Sequence, residues 1–146
     1  METAGNGANN GTVLVVDDEP EIAELMRDFL EADGFTVVTA GDAIEARSVL
    51  DRTPVDVALL DVMMPGRSGF DLLREIREAG DLPVLLLSAR DGDVDKIRGL
   101  GLGADDYVVK SATPAEVVAR IKAVLRRAQR SATPHVLDFG RLSTPR

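Results

Sequence analysis

Four places in this chain carry groups able to do chemistry together: the pair Asp17-Asp18, the single Asp61, the hydroxyl of Ser88 and the ammonium of Lys110. Each closes a short apolar run. Thr12–Val16 stops at Asp17-Asp18, Val57–Leu60 at Asp61, Pro83–Leu87 at Ser88 and Tyr107–Val109 at Lys110. Three carboxylates drawn from two strands are costly neighbours unless a cation joins them. An all-oxygen donor set suits a hard ion, Mg2+ above all, which takes one or two carboxylates, keeps waters and shares a phosphate oxygen. Lys110 and Ser88 add a positive charge and a hydroxyl. Together these groups suit a tetrahedral phosphoryl group on Asp61, with the metal on one oxygen, Lys110 on a second and Ser88 on a third. A carboxylate is an accepted nucleophile, and in-line transfer asks mainly for positioning and charge neutralisation. Each residue also has a plainer reading. Asp61 can start a turn at Pro65-Gly66, Asp17-Asp18 can cap a helix, and Ser88 can be an ordinary strand-end hydroxyl.

The elements that must position these groups follow from the pattern. Thr12–Val16 reads as a buried strand. Pro20 suits the first turn of a helix running to about Ala32, with Ile22, Leu25, Met26, Phe29 and Leu30 at helical spacing and Gly34 as its stop. Glu19 fits as an acidic complement to that helix's dipole. Phe35–Thr39 is a short strand. Asp42 caps a helix carrying Ala43, Ile44, Ala46, Val49 and Leu50. The strand ending at Asp61 comes next. Ser68-Gly69 then leads into a helix with Phe70, Leu72, Leu73, Ile76 and Ala79 inward. Pro83–Leu87 is a fourth strand. Asp93 to Leu100 is a weaker helix interrupted by Gly99, Gly101 and Gly103. Tyr107–Val109 is the fifth strand. Thr113 to Glu116 forms a capping box for a last helix, with Val117, Val118, Ile121, Val124 and Leu125 inward, to about Arg127. Five strands alternating with five helices imply a parallel α/β sheet covered on both faces. Right-handed crossovers bring all the strand ends to one edge, so Asp17, Asp18, Asp61, Ser88 and Lys110 meet there.

Bulk properties narrow the function. The 146 residues fit one domain, and 45% hydrophobic residues can build a core. A net charge of -8 argues against nucleic acid as the main partner and is compatible with a cation site. The absence of cysteine excludes disulfides, thiol chemistry and Cys-based zinc sites. No apolar run of about 18 residues is present, and the polar Met1–Gly11 has no signal-peptide core. A cytoplasmic protein is the expectation. Residues 1–11 read as a disordered leader, 12–127 as the domain, and 128–146 as a linker (Gln129–Pro134) followed by Val136–Leu142, which alternates like the first strand of a further unit.

As a set, Val15-Val16-Asp17-Asp18-Glu19-Pro20, Leu59-Leu60-Asp61-Val62-Met63-Met64-Pro65-Gly66, Leu87-Ser88-Ala89-Arg90 and Gly103-Ala104-Asp105-Asp106-Tyr107-Val108-Val109-Lys110 resemble the receiver domain of two-component response regulators. The resemblance covers about Thr12 to Arg127. Asp95 to Leu100, Gly103 to Tyr107 and Leu125-Arg126-Arg127 look like the OmpR/PhoB subfamily, whose members carry a winged-helix DNA-binding domain after a linker. It implies a doubly wound (βα)5, flavodoxin-like or CheY-like three-layer sandwich with a five-stranded parallel sheet. It further implies that Asp61 accepts a phosphoryl group from a sensor histidine kinase. Asp18 and Asp61 become side-chain ligands of Mg2+, Asp17 a ligand through water, and Met63 the donor of a backbone carbonyl. Ser88 is the implied switch hydroxyl, Tyr107 the switch aromatic that turns inward, and Lys110 the phosphate-binding lysine. A homodimer through the fourth helix, fifth strand and fifth helix would use Lys96, Asp105, Asp106, Glu116, Arg120 and Arg127. Phosphorylation would act as a signalling switch rather than as enzymatic turnover, controlling transcription through a DNA-binding domain cut short here.

Two departures from the family bear on the site. The family has a Pro joined by a cis peptide after the lysine, then Phe; here Ser111 and Ala112 follow Lys110. A cis bond before Ser111 costs ~2.5–4 kcal/mol, so a trans bond with a rebuilt Lys110 loop is expected, with slower phosphorylation or a shifted balance of states. Comparing phosphorylation kinetics with a chain carrying Pro-Phe at 111–112 tests this. Met63, two residues past Asp61, and Arg90, two past Ser88, stand beside the path of a hydrolytic water and imply a long-lived acyl phosphate. Two rivals remain. A phosphohydrolase would need an acid/base where Met63 stands. A pseudo-receiver that binds without phosphorylation is kept open by Ser111-Ala112.

Overall fold

The computed structural model describes residues 9–64, 68–89 and 93–128. The strands are β1 (Thr12–Val16), β2 (Thr36–Ala40), β3 (Val57–Asp61), β4 (Val84–Ser88) and β5 (Asp106–Val109). The helices are α1 (Pro20–Ala32), α2 (Ala43–Arg52), α3 (Gly69–Ala79), α4 (Asp93–Gly101) and α5 (Pro114–Ala128). All pairings are parallel, in the order β2-β1-β3-β4-β5. The chain reverses direction across the sheet between β1 and β3, the switch point at which open α/β sheets hold their ligands.

Val13–Val16, Val57–Leu60 and Val84–Leu87 are apolar throughout because both sheet faces are covered. Alternate residues serve opposite faces. Val13, Val15, Val57, Leu59, Leu85 and Leu87 pack with Ala23, Met26 and Leu30 of α1 and with Val117, Val118, Ile121, Val124 and Leu125 of α5. Leu14, Val16, Ala58, Leu60, Val84 and Leu86 pack with α2 and α3, joined by Ala104 and Tyr107. Helix α4 covers this second face too, since a β-carbon at Gly99 would meet the Leu86 side chain at 2.5 Å. The helix runs through Gly99 to Gly101 rather than breaking there.

Helix starts are fixed by side chains. Asp42 accepts from Glu45 N at 2.8 Å. Ser68 and Asp71 form a complete capping box. Thr113 accepts from Glu116 N at 3.1 Å, while the Glu116 carboxylate is bonded to Arg120 Nε at 3.2 Å, so the box expected there is turned toward the next helical turn. Among the helix starts described, α1 differs, because Glu19 at its N-cap makes no side-chain cap bond.

Some expectations change. Leu25 and Phe29 are 45% and 42% exposed and Ile44 is 76% exposed, so the inward stripes of α1 and α2 are narrower than their apolar content. Residues 9–11, expected in the leader, are tied down. Asn10 N donates to Gly34 O at 2.9 Å, Asn10 Nδ2 to Asp33 O at 2.6 Å, and Thr36 N to Gly11 O at 2.9 Å. The cause is backbone pairing that continues the β1–β2 ladder. The Pro65-Gly66 turn, Arg90, residues 1–8 and the segment 129–146 with His135 lie outside the described residues.

Candidate phosphoacceptor site

The carboxyl ends of the strands are stitched together past the last paired residues. Asp17 N donates to Ala40 O at 3.0 Å, Val62 N to Leu87 O at 2.9 Å, and Lys110 N to Ser88 O at 2.6 Å. These bonds carry the sheet's order into the residues that do the chemistry. Asp17, Asp61 and Ser88 are 3%, 1% and 0% exposed, and they are the buried polar residues of the described chain. Asp18 is exposed at the rim.

Asp17, Asp18 and Asp61 each place a carboxylate oxygen within 4.8 Å of the others. Asp61 Oδ1 accepts from Met63 N at 3.1 Å, and Asp61 Oδ2 accepts from Lys110 Nζ at 3.0 Å. Asp17 Oδ1 accepts from Glu19 N at 2.9 Å. Asp17 Oδ2 is buried without a hydrogen-bond partner, its cation being Lys110 Nζ at 3.7 Å. A buried anionic oxygen with no donor, aimed at two further carboxylates, is a donor set that a hard cation fits.

The electrostatics agree. Burial raises Asp17 from 3.8 to about 6, with the hydrogen bond from Glu19 N opposing and the charge of Asp61 adding to the rise. Burial raises Asp61 as well, against hydrogen bonds from Lys110 and Met63 N. Burial pulls Lys110 down, but its bond to Asp61 and the charges of Asp17 and Asp61 outweigh this, and its pKa is raised. The ammonium is held charged while the carboxylates crowd one another.

The remaining expected residues fall around this centre. Lys110 lies one residue beyond β5, with no cis peptide among the described residues, so the Lys110–Ser111 bond is trans. Ala112 closes that turn, donating to Val109 O at 3.0 Å, and packs on the α1/α5 core. The missing Phe therefore does not pull the loop off the domain. Tyr107 is 6% exposed, and a β-carbon at Gly99 of α4 would lie 3.4 Å from its ring, so the aromatic side chain is turned inward. Met63 is 50% exposed, and its N–H faces Asp61.

The residues expected at a dimer surface are not brought into the site. Arg120 bonds Asp106 at 3.1 Å and Glu116 at 3.2 Å within the chain. Arg77, which the sequence did not single out, holds Asp105 at 3.1 Å. Sequence reasoning also missed the bond from Lys110 Nζ to Glu19 Oε1 at 3.2 Å. The available signal was that Glu is a poor N-cap, so its presence there asks for another partner.

Fold and site together define a CheY-like α/β module whose acidic, lysine-closed pocket sits at the switch point of the sheet. Comparison with known proteins gives the kinship. Residues 13–122 match the response regulator receiver domain, and the chain belongs to that family. It is 48% identical over 131 residues to the regulatory protein VanRc of Enterococcus gallinarum, covering 87% of this chain and 57% of that protein. The receiver domain of the Francisella response regulator 1452 superposes with a TM-score of 0.78 at 35% identity, covering 82% of this chain and 99% of that one. The response regulator TrrA of Thermotoga maritima, solved in complex with Mg2+-BeF, gives a TM-score of 0.70 at 35% identity, covering 77% and 97%. The relatives are OmpR/PhoB-type regulators. The chain spans about half the length of the curated relatives it matches.

Proposed function

We propose that this domain takes a phosphoryl group on Asp61 from a sensor histidine kinase and passes the event on as a change of shape and association. The observation that carries this is the 3.0 Å contact of Lys110 Nζ with Asp61 Oδ2 inside a buried cluster of carboxylates. An Asp61 oxygen attacks phosphorus. The O–P bond forms as the P–N bond to the donor histidine breaks, and the imidazole leaves with the electron pair. Asp18 and Asp61, with Asp17 through water and the Met63 carbonyl, would hold Mg2+. The ion supplies charge neutralisation and a fixed position for the phosphoryl oxygens. Lys110, already on Asp61 Oδ2, would stabilise a second oxygen. Ser88, buried at the end of β4, would bond a third, with the buried Tyr107 as the switch aromatic. The Mg2+-BeF complex of TrrA supports the same loading here.

The trans bond after Lys110 leaves its ammonium on Asp61, so the pseudo-receiver reading is not favoured. Receiver domains are signalling switches rather than turnover enzymes. Output runs through a homodimer using α4, β5 and α5. Ile97 and Leu100 of α4 are 69% and 43% exposed and would supply its apolar part, with Lys96, Asp105, Asp106, Glu116, Arg120 and Arg127 supplying the charges. DNA binding would belong to a winged-helix domain after the Gln129–Pro134 linker, starting with Val136–Leu142, and the cytoplasm is the proposed place of action. No helix among the described residues is long and apolar enough to cross a membrane. Intact mass after incubation with acetyl phosphate and Mg2+ tests the reading. A gain of one phosphoryl group, lost without Mg2+ and absent in Asp61→Asn, is expected; a gain that persists in Asp61→Asn contradicts it.

A further inference from the structure

We infer that Glu19 is a positioning residue for Lys110, a tether that keeps the ammonium across the mouth of the acidic pocket. The inference rests on Asp61 as phosphoacceptor and adds a residue to that reaction. The α2, α3 and α5 N-termini are capped by the side chains of Asp42, Ser68 and Thr113. Glu19 occupies the same position on α1 and leaves that role unfilled. Its carboxylate reaches 91 residues along the chain to Lys110 Nζ at 3.2 Å.

The main chain of Glu19 is held on both sides. Its N–H donates to the buried Asp17 carboxylate, its C=O accepts from Ile22 N and Ala23 N at 3.1 Å each, and Pro20 follows. A side chain on so fixed a base is a defined anchor. Lys110 follows a strand end and stands in a turn, so its long stem has several rotamers to choose from. Three carboxylates share its ammonium: Asp61 at 3.0 Å, Glu19 at 3.2 Å and Asp17 at 3.7 Å. Asp61 and Asp17 change their charge environment when a cation or phosphoryl group arrives. Glu19, 55% exposed in its side chain, stands outside that cluster and keeps its bond throughout. An ammonium has three donors. One stays on Glu19, leaving two to move from the carboxylates onto the incoming phosphoryl oxygens. Glu19 thus limits the search of Lys110 without touching the reacting atoms.

The test uses the full chain with two readouts. In metal-free protein, 15N spectra should show Lys110 ammonium protons protected from solvent exchange, protection reduced in Glu19→Gln and partly kept in Glu19→Asp. With acetyl phosphate and Mg2+, Glu19→Gln should slow phosphorylation about three- to fivefold, the scale of a partly exposed ion pair. In a Lys110→Met background it should have no further effect. An unchanged Lys110 signal in Glu19→Gln overturns the inference, as does equal slowing with and without Lys110. A wild type that takes no phosphoryl group, while its Lys110 signal still answers to Glu19, supports the tether and overturns only the phosphoacceptor reading.

Discussion

Gly69, the first residue of α3, lies against the main-chain carbonyl of Asp61. Its N–H donates to Val62 O at 2.9 Å. A β-carbon at this position would collide with Asp61 O and lie 3.0 Å from both Asp61 C and Val62 Cα. The obstacle is backbone on a fully packed strand, so it cannot swing aside as a side-chain end would. Gly69→Ala should therefore lower stability by about 1–3 kcal/mol and push α3 off the end of β3. Urea unfolding measures this; an unchanged midpoint would mean that the α3 start yields freely.

Arg77 clamps three segments together. Its guanidinium donates to Leu82 O at 2.6 Å, Gly103 O at 2.9 Å and Asp105 Oδ2 at 3.1 Å, and that same Asp105 oxygen accepts from Val84 N at 2.8 Å. The backbone at Gly103 has φ +106°, and a β-carbon there would press on the Arg77 stem. Arg77→Met should cost about 2–3 kcal/mol, because it strips donors from partly buried carbonyls. Arg77→Lys should recover less than half of the loss, since an ammonium cannot fork to separate acceptors in the same way. Equal stability of the two variants by urea unfolding would contradict this account.

The acidic pocket sets a pH dependence. Burial raises Asp17 to about 6 from an unfolded value of 3.8. Its contribution to stability is present below the unfolded value and is lost as pH rises through about 6. Asp61, also raised by burial, acts in the same direction. Metal-free protein should gain stability from Asp17 between pH 7 and pH 5, a gain missing in Asp17→Asn. A bound Mg2+ would compete with that proton, so its affinity should fall by up to about tenfold per pH unit below pH 6. Calorimetric titration at pH 5 and pH 7 checks this; equal affinities would contradict it.

Met63 presents an apolar, half-exposed side chain two residues past Asp61. In that place it would obstruct a water approaching a phosphoryl group on Asp61 instead of orienting it. Met63→Asn should shorten the acyl-phosphate lifetime about fivefold, the worth of one hydrogen bond of ~1 kcal/mol. Decay followed by intact mass after donor removal gives the comparison; an equal or longer lifetime in the variant would rule out the obstruction.

Much of this architecture was legible from where apolar runs stop. Asp17, Asp61, Ser88 and Lys110 each follow an unbroken strand, so the parallel α/β pattern alone brought them to one edge. Long-range side-chain pairs were not legible. Glu19 looked like an ordinary dipole partner of α1, and only the fold brings Lys110 across to it. Nothing in the sequence pattern singled out Arg77. Its partners include two main-chain carbonyls, which leave no mark in a pattern of residue types. Leu25, Phe29 and Ile44 show the reverse error, since helical periodicity gives a face its composition but not the width of its covering.

The central claim is that Asp61 receives the phosphoryl group, and reductive mapping tests it most directly. Protein treated with acetyl phosphate and Mg2+ is reduced with borohydride, which converts an aspartyl phosphate to homoserine, and its peptides are then sequenced. Homoserine at position 61, absent without donor and greatly reduced in Lys110→Met, is the predicted result. Homoserine at Asp17 or Asp18, or none anywhere in protein whose mass shows a phosphoryl group, would contradict the assignment.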